Sequence, residues 1–353
     1  MFTSPYFSPV VIAGRNLPPE ELSRSGCLEH TVRNSRCLPL GVQSFQGIPF
    51  DCGDRFIYVR DGSLQLTFPP LRARYLVFLH ASETQPQAAG EDGIVRNFRG
   101  PAPLMEHICD YAVRYADGSE VTVPIRSRME INDMRTPWGQ GPFLTVPHIR
   151  DKAIPTATDN FFAGLPGAPW GGSQTRVYDG WSELTQWLFA YENPYPDKPV
   201  IGMEIRKKDG NVFLFGIAAG DVASHPLRYG RRQKALLSLT GDPKDALNLV
   251  DIDLGHIISV TPQQVYENIS WENSSAEDMP SVSEGKYIVE FDAHEDAILY
   301  AGEERAPIPF KDIRRNAGIF INPAERPVTL KVLDENNKPV PAKVHAHGAA
   351  GEY

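Results

Sequence analysis

Apolar and polar residues alternate with a period of two along much of this chain. Tyr111, Val113 and Tyr115 share one parity, Asp117-Gly118 interrupts, and Val121, Val123 and Ile125 alternate again. Alternation lines one face of a strand with apolar side chains. Asp-Gly between two such runs marks a tight turn whose glycine takes positive φ. Together these predict a hairpin. The device recurs at Asp61-Gly62, between Phe56–Val59 and Leu64–Leu66, and at Asp209-Gly210, between Val200–Arg206 and Val212–Ala218. Tyr75–Leu79 (YLVFL) is a continuous apolar run, the pattern of a strand buried on both faces. Helical signals are few. Pro18–Leu22 predicts one short turn, and Thr261 followed by Pro262 reads as the capped start of a helix over Thr261–Tyr266.

The fold class this predicts is all-β: a jelly-roll or β-sandwich, a smaller β unit, and a partial C-terminal hairpin. The 31 prolines and 29 glycines fit short strands joined by turns. Punctuation divides the chain into an N-terminal extension (1–27), a sandwich (28–240), a smaller β unit (241–325) and the start of another module (326–353). In the last piece Val328, Leu330 and Val332 alternate, Glu335–Lys338 supplies a turn, and Val340–His347 alternates again. A hairpin does not bury a core of its own. We expect it to open a module continuing past Tyr353, the alternative being that it docks on the preceding domain.

Composition narrows the function. With 353 residues, 41% of them hydrophobic, the chain can build packed cores. A net charge of −9 argues against a nucleic-acid surface. Arg231, Arg232 and Lys234 form one basic cluster in the middle of the chain, read as a solvated strand end rather than a phosphate site. No run of about 18 apolar residues offers a membrane helix. The first residues lack the basic and apolar regions of a signal peptide. The expected location is cytoplasmic if Met1 is the true start, and periplasmic or secreted if the N-terminus is incomplete. Among the four cysteines no C-x-x-C pair occurs. Cys52 and Cys109 read as core residues, and a bridge between Cys27 and Cys37 stays open.

The richest polar stretch is Ser127–Trp138, SRMEINDMRTPW. Glu130, Asp133, Arg135 and Trp138 offer carboxylates, a guanidinium fork and an aromatic face, the set that binds sugars through stacking and hydroxyl contacts. Trp170, Trp181 and Trp187 lie downstream. We take Glu130, Asp133, Arg135, Trp138, Trp170 and Trp181 as the candidate ligand-binding residues, with a carbohydrate or another small molecule as partner. Glycosidases need two carboxylates across the scissile bond. Glu130 with Asp133, or Glu106 with Asp110, supplies the alternative of a hydrolase or lyase, but close acidic pairs are ordinary on surfaces, so no catalytic residue is assigned. His80 closes the buried strand and reads as a satisfied core or rim histidine. His345-Ala346-His347 has the spacing of a metal pair, without an acidic partner nearby except Glu352, and reads as structural. No cofactor or metal site is expected in this chain.

Two stretches carry a family resemblance. RPVTLKVLDENNKPVPAKVHAHGAAGEY (326–353) is similar to the carboxypeptidase-regulatory-like, transthyretin-like β module. In bacterial proteins that module often precedes the catalytic domain of CehA/McbA-type metallohydrolases of the polymerase-and-histidinol-phosphatase-like class. GIPFDCG, YLVFLHA, DYAVRYADGSEVTVPI and ENPYPDKPVIGMEI resemble galactose-binding-like jelly rolls appended to glycan-degrading enzymes. The resemblance implies a non-catalytic N-terminal part of a hydrolase, with any divalent metal held by residues beyond Tyr353. The other readings are a stand-alone carbohydrate-binding module and a structural spacer.

Overall fold

The computed structural model describes residues 2–84, 103–136, 141–150, 152–153, 176–177, 183–241, 247–265, 281–313, 318–321, 327–342 and 344. The chain is all-β and divides into two compact units. The first takes Met1–Asp151, Tyr178–Tyr229 and His294–Asp296; the second takes Lys152–Val177, Gly230–Ala293 and Ala297–Tyr353.

In the first unit the strands are β1 (Phe7–Pro9), β2 (Val42–Phe45), β3 (Ile48–Asp51), β4 (Ile57–Val59), β5 (Ser63–Leu71), β6 (Tyr75–Glu83), β7 (His107–Tyr115), β8 (Glu120–Arg126) and β9 (Thr145–Pro147). After β10 (Lys152–Ala153) and β11 (Arg176–Val177), which belong to the second unit, follow β12 (Trp187–Glu192), β13 (Val200–Lys207) and β14 (Asn211–Gly220). One sheet has the order β1-β14-β6-β12-β9, with β4 also on β14; the other has the order β5-β13-β7-β8. Their inner faces share a core. Leu76 and Phe78 of β6 and Leu214 and Ile217 of β14 pack with Tyr111 and Val113 of β7 and with Met203 and Ile205 of β13. The YLVFL run forms a central strand whose nine residues are all buried, as its uninterrupted apolarity predicts.

Asp117-Gly118 closes the β7–β8 hairpin, with Gly118 at φ +83°. The other two Asp-Gly pairs do something different. β4 and β14 lie in the first sheet, while β5 and β13 lie in the second. Asp61-Gly62 and Asp209-Gly210 therefore carry the chain between layers and close no hairpin. Gly62 has φ +65°, but Gly210 is not among the positive-φ residues. Its loop is held instead by backbone bonds from Lys208 to Ile108 and from Asp209 to His107, both 3.0 Å. The extension drawn over 1–27 contributes β1, whose Phe7 pairs Gly220. Arg15 donates to the carbonyl of Phe215 at 3.0 Å, where the register of β14 shifts between Leu214 and Gly216. A bulge takes a carbonyl out of the ladder, and the guanidinium supplies it with a donor. The turn predicted over Pro18–Leu22 is a 3₁₀ helix over Pro19–Arg24.

The second unit contains β15 (Gln233–Ser238), β16 (Val250–Ile252), β17 (Gly255–Val265), β18 (Ser281–Ala293), β19 (Ile298–Ala301), β20 (Ala306–Pro309) and β21 (Gly318–Ile321). They form the sheets β17-β18-β15-β21 and β16-β19-β20, and β10 pairs β11. The helix expected from Thr261-Pro262 is absent over the described part, Thr261–Val265, because these residues belong to β17. Pro262 sits at a register shift of this edge strand, where a missing N–H is tolerated. At the C-terminal end the predicted turn forms, with Asn337 at φ +60° and Asp334 N–H bonded to the Lys338 carbonyl at 2.9 Å. Its flanks make a single bridge, Leu333 to Pro339, and the described residues 327–332 join no sheet. Val328 and Leu330 are exposed there, so the alternating apolar face has nothing to bury against within the described hairpin. His345 and His347 lie outside the described residues.

Candidate functional site

β8 ends at Arg126, and the chain turns back on itself. Arg128 takes φ +60°, its N–H bonds the Ile131 carbonyl at 2.7 Å, and the following residues run beside the end of β6. There Ser82 N–H bonds the Asn132 carbonyl (2.9 Å) and Met134 N–H bonds the Ser82 carbonyl (3.0 Å). This brings Glu130, Asp133 and Arg135 together at one rim of the sandwich. Trp138, Trp170 and Trp181 lie outside the described residues. Trp187 is a core residue of β12, and its indole N–H donates to the Asp133 carbonyl at 3.2 Å.

Both carboxylates at this rim face inward. Asp133 is 0% exposed. It accepts the Thr84 N–H (2.8 Å), the Arg135 N–H (2.8 Å) and two guanidinium bonds from Arg135 (both 2.9 Å). Arg135 also donates to the Thr84 carbonyl. Glu130 is 4% exposed and is gripped by Arg126, which donates from its backbone N–H and Nε, both at 3.0 Å, and from Nη2. A buried carboxyl group needs hydrogen-bond partners, and each of these has an arginine and backbone N–H donors.

His80 supports the same turn from below. A carbonyl oxygen only accepts, so the 2.9 Å contact between His80 Nε2 and the Glu130 carbonyl places the ring proton on Nε2. Nδ1 then accepts the Tyr111 hydroxyl at 2.8 Å. Burial lowers the His80 pKa to about 3, only partly offset by the Glu130 carbonyl. The ring is a neutral structural strut, the core role its sequence position predicts. Of the second acidic pair, burial and then Asp209 raise the Glu106 carboxyl, while Asp110 pairs with His107 (2.8 Å) and Lys208 (3.4 Å).

Alternation and spacing do not point to three further features. Glu83 is buried, and it accepts the Leu28 N–H (2.9 Å), the Thr31 hydroxyl (2.6 Å) and the Tyr58 hydroxyl (3.2 Å), so it pins the 28–33 segment to the end of β6. Leu104, Met105 and Phe143 are exposed apolar residues beside the Glu130 turn. Met105 N–H bonds the Ser127 carbonyl and Phe143 N–H bonds the Arg128 carbonyl. Met105, like Arg128, is a non-glycine residue with positive φ, at +68°. Third, Ser224, His294 and Asp296 meet within the first unit in the manner of a nucleophilic triad, with Ser224 Oγ 2.9 Å from His294 Nε2. A triad needs Nε2 to accept the serine proton. Here Nδ1 accepts the Asp296 backbone N–H at 3.0 Å, so Nε2 carries the proton and the polarity is inverted.

In the second unit, Arg232 and Lys234 of the basic cluster pair with Glu290, which is 2% exposed and also accepts the Ser259 hydroxyl at 3.0 Å. These cations neutralise a buried anion. Cys27 and Cys37 stand as free thiols, and Cys52 and Cys109 are buried. Burial raises the Cys27 thiol pKa to about 11 and that of Cys52 to about 12. Among the described residues, no group of three or more His, Cys, Asp or Glu is placed to hold a metal ion, and no helix is long and apolar enough to cross a membrane. Compared with known proteins, the chain matches no family model and no curated protein.

Proposed function

We propose that this chain is a non-catalytic β module, an accessory part of a hydrolase that binds carbohydrate or positions a catalytic domain. The observation that carries this reading is the condition of Glu130 and Asp133. Each carboxylate is buried and bound by an arginine. The two carboxyl groups of a glycosidase must reach the sugar and the attacking water. Both of these are buried against their arginines, which removes that access. The glycosidase alternative is therefore the weaker one.

Ligand binding finds support at the same rim. Leu104, Met105 and Phe143 present apolar surface beside the Ser127–Glu130 turn. Non-glycine residues in the left-handed region, here Met105 and Arg128, concentrate at binding sites. Apolar surface with a few convergent polar groups suits the ring face and hydroxyls of a sugar. The link to CehA/McbA-type metallohydrolases rests on the resemblance of residues 326–353 and of the sandwich motifs. Under this proposal any catalytic metal belongs to residues outside this chain.

Affinity electrophoresis in gels containing different polysaccharides tests the binding arm. Retardation that is lost in Phe143→Ala or Trp138→Ala, with unchanged melting, supports a glycan platform. If no polysaccharide retards the chain, the binding arm fails and domain positioning is the account that stands.

A further inference from the structure

Three Asp-Gly pairs, at 61–62, 117–118 and 209–210, lie among the described residues in three different surroundings; a fourth, Asp92-Gly93, lies outside them. At 117–118 both partners are held. The Asp117 carboxylate accepts the Ser119 N–H at 2.9 Å and the Ser119 hydroxyl at 2.5 Å, and it pairs with Lys198 at 2.7 Å. Gly118 N–H bonds the Tyr115 carbonyl at 3.0 Å. At 209–210 the glycine is buried against Ile108, and Asp209 N–H bonds the His107 carbonyl at 3.0 Å. Asp61-Gly62 has no such restraints. Both residues are exposed, the Asp61 side chain 91% so, and Arg60 stands 4.0 Å from its carboxylate. Among the described residues, neither Asp61 N–H nor Gly62 N–H donates a hydrogen bond, and the space beside Gly62 is open.

We propose that Asp61-Gly62 is a self-modifying site, where the chain converts Asp61 to isoaspartate through a cyclic imide, while Asp117-Gly118 and Asp209-Gly210 are held back by their bonds and packing. The Gly62 nitrogen attacks Cγ of the protonated Asp61 side chain. A bond forms between that nitrogen and Cγ, and the amide proton leaves with the carboxyl hydroxyl as water. Water then opens the ring at one of its two carbonyls. Opening at Cγ restores aspartate. Opening at the main-chain carbonyl leaves the chain running through Cβ and Cγ, with a free α-carboxyl group. Water is the sole reactant, and the final composition equals the initial one.

Glycine permits the attack because no Cβ shields its nitrogen. All three pairs share that, so their surroundings decide the rate. A nitrogen that already donates to a carbonyl must give up that bond before it turns toward Cγ, which holds back Gly118. The ring also closes on the neutral carboxyl, and Lys198, followed by Ser119, holds the Asp117 carboxyl below its ordinary range. At Asp209, closure needs rotation of a residue tied to His107, beside a glycine where an added Cβ would meet Ile108 Cδ1 at 2.8 Å. Asp61 instead lies on the crossing from β4 in the first sheet to β5 in the second. Lys207 N–H bonds the Gly62 carbonyl there at 3.0 Å, and that carbonyl stays outside the ring.

Ageing the intact chain for weeks at neutral pH in heavy-oxygen water tests this, because each ring opening adds one heavy oxygen to the residue that cyclised. Digestion in ordinary water, followed by fragment-ion mass spectrometry, assigns the label to its residue. Asp61 is expected to take up several times more label than Asp117 or Asp209. A protease that cuts before aspartate should lose its cut at Asp61 in step, the mark of isoaspartate. In denaturant the three residues should label at similar rates, since the folded surroundings are gone. Label at Asp117 or Asp209 equal to that at Asp61 in the folded chain overturns the proposal. So does an unlabelled Asp61, or a cut there that ageing leaves complete. The same order of rates in denaturant also overturns it, because neighbouring sequence would then set them.

Discussion

His80 donates from Nε2 to the carbonyl oxygen of Glu130 at 2.9 Å, which ties the candidate site to the sandwich core. Replacing His80 by leucine leaves that carbonyl and the Tyr111 hydroxyl buried without partners. Each orphaned group costs about 1–3 kcal/mol, so a loss of roughly 2–6 kcal/mol is expected in denaturant melting. Tyr111→Phe orphans only the His80 Nδ1 and should cost about 1–3 kcal/mol. Equal effects of the two substitutions would contradict the strut.

Buried histidines give the stability a definite pH dependence. Burial lowers His148 to about 4, with the Gln186 carbonyl opposing the shift, and lowers His80 to about 3. Above about pH 6.5, the unfolded imidazole value, both rings are neutral in either state. Below it the unfolded chain binds protons that the folded rings refuse, until the pH nears their folded values. Stability is therefore full above about pH 6.5 and declines as the pH falls. His148 alone accounts for on the order of 3 kcal/mol across its window. Melting temperature should drop steadily from pH 7 to pH 4.5, and His148→Asn should flatten the curve. A profile identical to wild type would count against this assignment.

The Asp133–Arg135 pair separates structure from binding. Arg135→Ala leaves a fully buried carboxylate without its cation. Breaking a buried pair this way costs about 3–5 kcal/mol. Asp133→Asn, which removes the charge, should cost less. Chemical denaturation of both variants gives the comparison, and a stable Arg135→Ala would mean that the pair contributes little to the fold.

The glycines of the Asp-Gly turns should respond differently to substitution. Gly118 has φ +83° and open space at the Cβ position. Gly118→Ala should cost about 1 kcal/mol through backbone strain alone. At Gly210 an added Cβ meets Ile108 Cδ1 at 2.8 Å. The cost of Gly210→Ala should therefore be relieved by Ile108→Val if the side chain is the obstacle, a double-mutant cycle read by thermal melting.

Much of the fold was legible because alternation is local. Tyr111, Val113 and Tyr115 declare an inward face, and YLVFL declares a central strand. Asp-Gly declares a turn, but not which sheet follows it, so Asp61-Gly62 and Asp209-Gly210 looked like hairpins while linking two layers. Thr261-Pro262 carries a helix start signal, yet Pro262 falls at a bulge on an edge strand, where sheet pairing outweighs local preference. The residues of the candidate site were legible as a polar cluster, but not their condition. Arg126 and Arg135 sit close in sequence to the carboxylates they bind, while the partners that bury them, Thr84, Trp187 and His80, are 49–54 residues away. Such distant contacts leave no periodic trace.

The central claim is that the rim built on Glu130 and Asp133 does no acid–base chemistry. Reducing-end release from a broad polysaccharide panel, measured with the intact chain, tests it most directly. The account expects no release above background from wild type, Glu130→Gln or Asp133→Asn. Release by the wild type that disappears in a folded Glu130→Gln variant would contradict it.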